Sequence, residues 1–351
     1  MKVFKRNYRM EASLPSSYMK YMGGMKPCVL DIETTGLSRG NSKIILIGLL
    51  TETDSGVCVT QFLAENHYEE YKVLQSAVDF LRDEGIEYLV TYNGASFDIP
   101  FIERRLEVNS FEASINLYNL DLYRFIKCAT DLRNRLDSLS QKSVENYYGI
   151  LDDRADSISG RESVKIFDEY SLSGDSTLEK IILTHNREDV LNLFRLIHYV
   201  LPDADVECMD KAMAFYGFPV LGGRLTLRPS IQKFGRGSKV KYTLRINGDQ
   251  NFDAVSAAYF ADMDNPINAV FNRETAMFQI EVPIEAAPEG LSGEDDLCYL
   301  DIRSILTAVD NRFCSEFERD PDYINGYLIL NPRTVNLAAR LITEKLIEQS
   351  T

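Results

Sequence analysis

The sequence predicts an α/β domain followed by a smaller α+β domain. From Cys28 to Tyr199, apolar runs of strand length are interspersed with segments of helical period. After Pro202 and the acidic run Asp203 to Asp210 the pattern changes to polar–apolar alternation. A chain of 351 residues suits two cores. The expected boundaries are a basic N-terminal extension over 1–24, the α/β domain over 25–202 and the α+β domain over 203–351.

Residues 1–26 carry Lys2, Lys5, Arg6, Arg9, Lys20 and Lys26 against one acid, Glu11, and read as a solvated, partly ordered arm. Cys28 to Ile32 is the first strand, broken only by Asp31. Lys43 to Leu50 is a near-continuous apolar run, the mark of a strand buried on both faces. Val57 to Leu63 is the next strand, close enough to pair with the other two as an antiparallel meander. Over Glu69 to Arg82, Val73, Leu74, Ala77, Val78 and Leu81 recur at helical spacing. Gly85 ends that helix and Tyr88 to Tyr92 is a fourth strand.

Small residues then lead to Asp98, with Pro100 suited to the first turn of a helix that Asp98 is placed to cap. Ile115 to Leu120 is a fifth strand, and Asp121 is placed to cap Leu122 to Leu132. Ser138 to Tyr148 is helical, and Ser159-Gly160 opens a segment through Tyr170. Thr177 to Tyr199 has the strongest helical pattern on the chain. In the second domain, Arg224 to Arg228 and Lys239 to Ile246 form a hairpin. Ala276 to Val282 is a strand, and Leu300 to Val309 and Thr334 to Glu348 are helices.

Composition narrows the function. Net charge is −15, which opposes a protein that coats nucleic acid through its own cations. It does not oppose an enzyme that reaches phosphates through metal ions. No apolar run is long enough to cross a bilayer and no signal segment follows the N-terminal cations, so a cytoplasmic protein without a membrane partner is expected. The six cysteines are scattered with no C-x-x-C, which points to reduced thiols.

Asp31 and Glu33 are two apart on a strand and project from one face. Alone, they read first as the acidic end of a strand on an acidic chain. Asp98, and Asp189 with His185 one helical turn before it, complete a set. Brought together, the carboxylates make an all-oxygen site for hard cations such as Mg²⁺ or Mn²⁺. Two such ions can clamp a scissile phosphate, and a histidine beside them can take the proton of the attacking water.

D-I-E-T-T-G-L (31–37), Y-N-G-A-S-F-D-I-P (92–100) and H-N-R-E-D-V-L (185–191), in this order, resemble the three exonuclease motifs of the DnaQ-like, or DEDD, superfamily. Among its members the chain looks closest to the YprB-like ribonuclease-H-like proteins, over roughly residues 25–200. The resemblance implies an RNase-H-like fold, a mixed five-stranded sheet flanked by helices. It also implies two-metal removal of nucleotides from the 3′ end of single-stranded DNA or RNA. Carried over, Asp31, Glu33, Asp98 and Asp189 hold two divalent cations, with Asp31 as the bridge, and His185 is the general base. Thr34, Thr35 and Leu37 lie where the terminal nucleotide is received, and Asn93 matches the asparagine ahead of the second-motif aspartate. In one respect the chain departs from the pattern. Family histidines stand five residues before the last aspartate and family tyrosines four, whereas His185 stands four before Asp189.

Arg224 to Gly248 holds seven basic residues and no acid, so it forms a local positive stretch on an acidic chain. Lys239, Lys241 and Arg245 share one face of a strand there and are expected to track a substrate backbone. The competing reading is an exposed sheet face balanced by acids such as Glu281. For the chain as a whole, the competing reading is a catalytically silent nucleic-acid-binding module on the same fold.

Overall fold

The computed structural model describes residues 1–10, 20–112, 114–150, 160–235, 240–250, 267–272, 275–286, 297–306 and 311–348. Two units are distinguished, Met1–Ala204 and Asp205–Thr351.

The first unit is built on a mixed six-stranded sheet of β1 (Lys2–Tyr8), β2 (Pro27–Thr34), β3 (Ile44–Thr53), β4 (Gly56–Leu63), β5 (Tyr88–Thr91) and β6 (Tyr118–Asp121), in the order β1-β4-β3-β2-β5-β6. β2, β3 and β4 form the antiparallel meander, while β5 and β6 run parallel to β2. β3 is central, and Ile44 to Leu50 is buried without a break. Both faces of the sheet are covered, so no position along that run needs to be polar.

There is one strand more than expected. Lys2–Tyr8, read as a solvated arm, pairs antiparallel with β4 from Lys2↔Leu63 to Tyr8↔Val57. It is an edge strand, whose Lys5 and Arg6 face solvent. Charge on an edge strand deters further pairing and gives it the composition of a loose arm.

Helices α1 (Glu70–Asp83) and α2 (Asp98–Val108) pack beside this sheet. They are joined by a buried ion pair. Arg105 donates to both oxygens of Glu70 at 2.7 and 2.6 Å, and Glu70 also accepts the amide of Ile44 at 2.8 Å. Asp98 does not cap α2. It is the first helical residue, and its carboxylate accepts the amide of Ile32 instead. Asp121 does cap, accepting the amides of Tyr123 and Arg124 at the start of α3 (Leu122–Ala129). The short α4 (Leu132–Arg135) and α5 (Gln141–Tyr147, capped by Ser140) follow, then α6 (Gly160–Ser173). Helix α7 (Ser176–Asp203), capped by Asp175, closes the unit.

In the second unit, described by itself, Asp203 to Asp210 is not simply a break. Asp205 accepts the amide of Cys208 and starts α8 (Val206–Tyr216), where acids in the first turn complement the helix dipole. An antiparallel sheet follows, with β7 (Phe218–Val220), β8 (Leu225–Phe234), β9 (Lys241–Gln250), β10 (Asn268–Asn272), β11 (Met277–Ala286), β12 (Cys298–Asp301), β13 (Tyr323–Ile324) and β14 (Tyr327–Leu330). β8 and β9 are the expected hairpin pair. Leu300 begins not a helix but the end of β12, before α9 (Ile302–Leu306). Helices α10 (Asn311–Glu318) and α11 (Pro332–Glu348) complete the unit, and Asn336 of α11 donates to the Asp210 carbonyl of α8 at 2.8 Å.

Candidate metal centre

The acidic residues of the first unit meet at one end of its sheet. β2 delivers Asp31 and Glu33 from the same face, with Asp31 opposite Gly48 and Glu33 opposite Leu46 on β3. A register shift between Glu33 and Thr34 then breaks the ladder, a device that re-aims a strand where a site is built. α2 starts at Asp98, and α7 runs along β2 and brings His185 and Asp189.

Glu33, His185 and Asp189 form the tight group. Each offers a ligand atom, and all three atoms lie within 4.8 Å of one another. His185 Nε2 is 3.5 Å from Glu33 Oε1 and 3.7 Å from Asp189 Oδ2. Positions i and i+4 share a helix face, so imidazole and carboxylate reach the same point.

Asp31 and Asp98 stand beside that group rather than inside it. Burial raises the Asp31 carboxyl well above its ordinary range, and the charges of Asp189, Asp98 and Glu33 raise it further. Asn186 opposes this by donating to Asp31 Oδ2 at 2.9 Å. Burial likewise lifts Asp98 to about 7, against the hydrogen bonds of its own amide and that of Ile32. Close, buried, mutually repelling carboxylates are costly unless protonated or bridged by a cation. An all-carboxylate set with one imidazole is the donor chemistry of a hard divalent ion.

Residues not singled out in the sequence hold this arrangement. Asn186 also donates to the Asp31 carbonyl, and its own oxygen accepts Gln61 Nε2 at 2.8 Å. Gln61 in turn donates to the Leu183 carbonyl at 2.9 Å. Gly48 makes room, because a Cβ there would sit 2.0 Å from Asn186 Oδ1. On the other side of α7, Gln141 donates to the Asp189 carbonyl and to Glu145, and Asn192 donates to Glu145. The only sequence signals were Gln61 inside the apolar run V-C-V-T-Q-F-L and Asn186 next to His185.

Asp121 has a second task besides capping. Its carboxylate accepts the amides of Asn93 and Ala95 at 2.8 and 3.1 Å, fixing the loop that leads to Asp98. Asn93 occupies the left-handed region at φ 61°, which asparagine tolerates better than most residues. Thr34 Oγ1 donates to the Gly36 carbonyl, Thr35 Oγ1 accepts the Lys43 amide, and Leu37 is 82% exposed.

The basic stretch of the second unit is charge-balanced in part. Arg245 pairs with Glu281 at 2.7 Å and Arg228 with Asp249 at 2.6 Å. Lys241 is exposed, while Lys239 lies outside the described residues.

The RNase_H superfamily model matches residues 28–201. The uncharacterized protein YprB of Bacillus subtilis (strain 168) is 30% identical over 169 residues, which is 47% of this chain and 40% of the relative. The chain thus matches less than half of that relative's length. The structure of the family B DNA polymerase from the hyperthermophilic archaeon Pyrobaculum calidifontis superposes with a TM-score of 0.40 at 15% identity, covering 91% of this chain and 46% of the polymerase. A likeness at that level carries no chemistry across.

Proposed function

We propose that this chain, whose residues 28–201 match the RNase_H superfamily model, is a divalent-metal-dependent nuclease that removes nucleotides from the 3′ end of single-stranded DNA or RNA. The observation that supports this best is the meeting of Asp31, Glu33, Asp98, His185 and Asp189 at one end of the sheet.

In this reading Asp31, Glu33, Asp98 and Asp189 hold two Mg²⁺ or Mn²⁺ ions. Bound divalent ions supply a more acidic water and neutralise charge on the scissile phosphate and leaving oxygen. The chain's own groups do the rest. Asn186 fixes which Asp31 oxygen faces the centre, and the Ile32 amide does the same for Asp98. His185, between Glu33 and Asp189, takes the proton of the attacking water, and the two carboxylates stabilise the imidazolium that results. Thr34 at the end of β2, with Thr35, Leu37 and Asn93 on the loops after β2 and β5, receives the terminal nucleotide.

The test uses the full chain and 5′-labelled single-stranded DNA and RNA of one sequence, with Mg²⁺, Mn²⁺ or EDTA. A ladder shortening from the 3′ end, dependent on metal and absent in Asp31→Asn, is expected. No cleavage by folded protein under either metal sinks the reading in favour of a silent binding module.

A further inference from the structure

Tyr68 is 91% exposed, on a loop between β4 and α1. Tyrosine usually buries its ring and keeps only the hydroxyl in water. Here the loop is built to hold the ring out. The Asn66 side chain accepts the Tyr68 amide at 2.9 Å, and the Asn66 carbonyl accepts the Glu69 amide at 3.2 Å. Glu69 is further fixed by Lys72 at 2.7 Å.

The ring has a cation beside it. Lys43 Nζ lies 5.4 Å from the Tyr68 ring centroid and donates to the His67 carbonyl at 2.6 Å. Lys43 is in turn tied to the end of β2, since its amide donates to Thr35 Oγ1 and its carbonyl accepts the Thr35 amide, both at 2.9 Å. A second cation, Arg39, spans two loops of the centre by donating to the Ser96 carbonyl at 2.5 Å. Among the described residues that is its one hydrogen bond, made by one of five N–H groups. On a chain of net charge −15, two cations and an exposed ring thus lie close to Thr35.

We propose that Tyr68, Lys43 and Arg39 form a binding step for single-stranded nucleic acid beyond the terminal nucleotide. Tyr68 stacks on an unpaired base, and Lys43 and Arg39 face the phosphates on either side. Stacking calls for a base free of a partner strand, and an ammonium and a guanidinium complement a phosphodiester chain. The inference rests on the nuclease reading only for its substrate, and extends the site from the terminal residue to the chain behind it.

The experiment measures fluorescence anisotropy with a short 5′-fluorescein oligothymidylate and its oligouridylate counterpart. The protein is the full chain carrying Asp31→Asn, in EDTA, with folding checked by circular dichroism. Adding Tyr68→Ala should weaken binding by about 5- to 100-fold, while Tyr68→Phe keeps it. Adding Lys43→Gln should lower the slope of log Kd against log salt by about 0.7. An abasic residue walked back from the 3′ end should weaken the parent at one position and leave the Tyr68→Ala protein unaffected there. Equal binding with and without the ring, or an abasic effect that ignores Tyr68, overturns the proposal. Wild-type cleavage with Mg²⁺ is scored separately. Shortening without dependence on Tyr68 removes this surface and leaves the nuclease, whereas dependence on Tyr68 without shortening keeps the surface and removes the nuclease. The two oligomers report whether DNA or RNA is preferred.

Discussion

Asn186 of α7 donates to Asp31 of β2 at 2.9 Å, and only a glycine at position 48 lets it do so. The contact holds a neutral amide against a buried carboxylate that faces the charges of Asp189, Asp98 and Glu33, and it joins residues 155 apart in the chain.

Gly48→Ala is expected to destabilise the first unit. The added methyl would overlap Asn186 Oδ1, and overpacking of this kind costs about 1–3 kcal/mol. Urea denaturation followed by far-UV circular dichroism measures it. An unchanged midpoint would mean that α7 shifts without cost.

Asn186→Ala acts on chemistry more than on folding. Loss of a partner that orients a metal-binding carboxylate typically costs about 10- to 100-fold in metal affinity or activity. Titration calorimetry with Mn²⁺ should show the weaker binding, and cleavage rates at saturating Mn²⁺ should recover part of the loss. Asn186→Asp should be worse, because it adds a charge to a site already short of compensation.

In EDTA the protein should lose stability as pH rises. Asp98 is lifted to about 7 from 3.8, so between those values the folded state binds more protons than the unfolded one. Stability then falls with rising pH over this window and levels off above it. Asp31 is raised in the same sense and adds to the slope. Asp31→Asn should raise the melting temperature in EDTA at pH 8 and lessen the gain on adding Mg²⁺. Thermal melts at pH 5 and pH 8 decide. A protein more stable at pH 8 in EDTA would contradict the buried repulsion.

Arg105→Met should be severe. It leaves Glu70 buried without its cation, and breaking such a pair costs about 3–5 kcal/mol. The double variant Glu70→Gln, Arg105→Met should recover a good part of the loss. Chemical denaturation of the three proteins gives the coupling between the two side chains, and an additive result would show them to be independent.

Much of this was legible in the residues. The unbroken apolar run at β3 declared a doubly covered strand, and helical spacing declared α1 and α7. The carboxylates were legible because three short motifs occur in order. Asn186, Gln61 and Gly48 were not, since an amide, an amide and a missing side chain acquire meaning only when three elements are stacked. β1 was hidden for a related reason. Its cations suit an exposed edge, and its partner β4 lies more than fifty residues away by the register Lys2↔Leu63. The helical start at Val206 was obscured by acids that read as a linker yet suit a helix N-terminus.

The carboxylates of the centre come from a strand near residue 31, a helix start at 98 and a late helix at 189, so no fragment ending before α7 contains a complete cage. On the proposed metal-binding reading, cation affinity is therefore a gauge of assembly. A chain that has made its meander but not docked its last helix would offer two or three carboxylates in water and hold an ion loosely. If the centre takes Mn²⁺ as proposed, tight binding would report that the long-range contacts are in place.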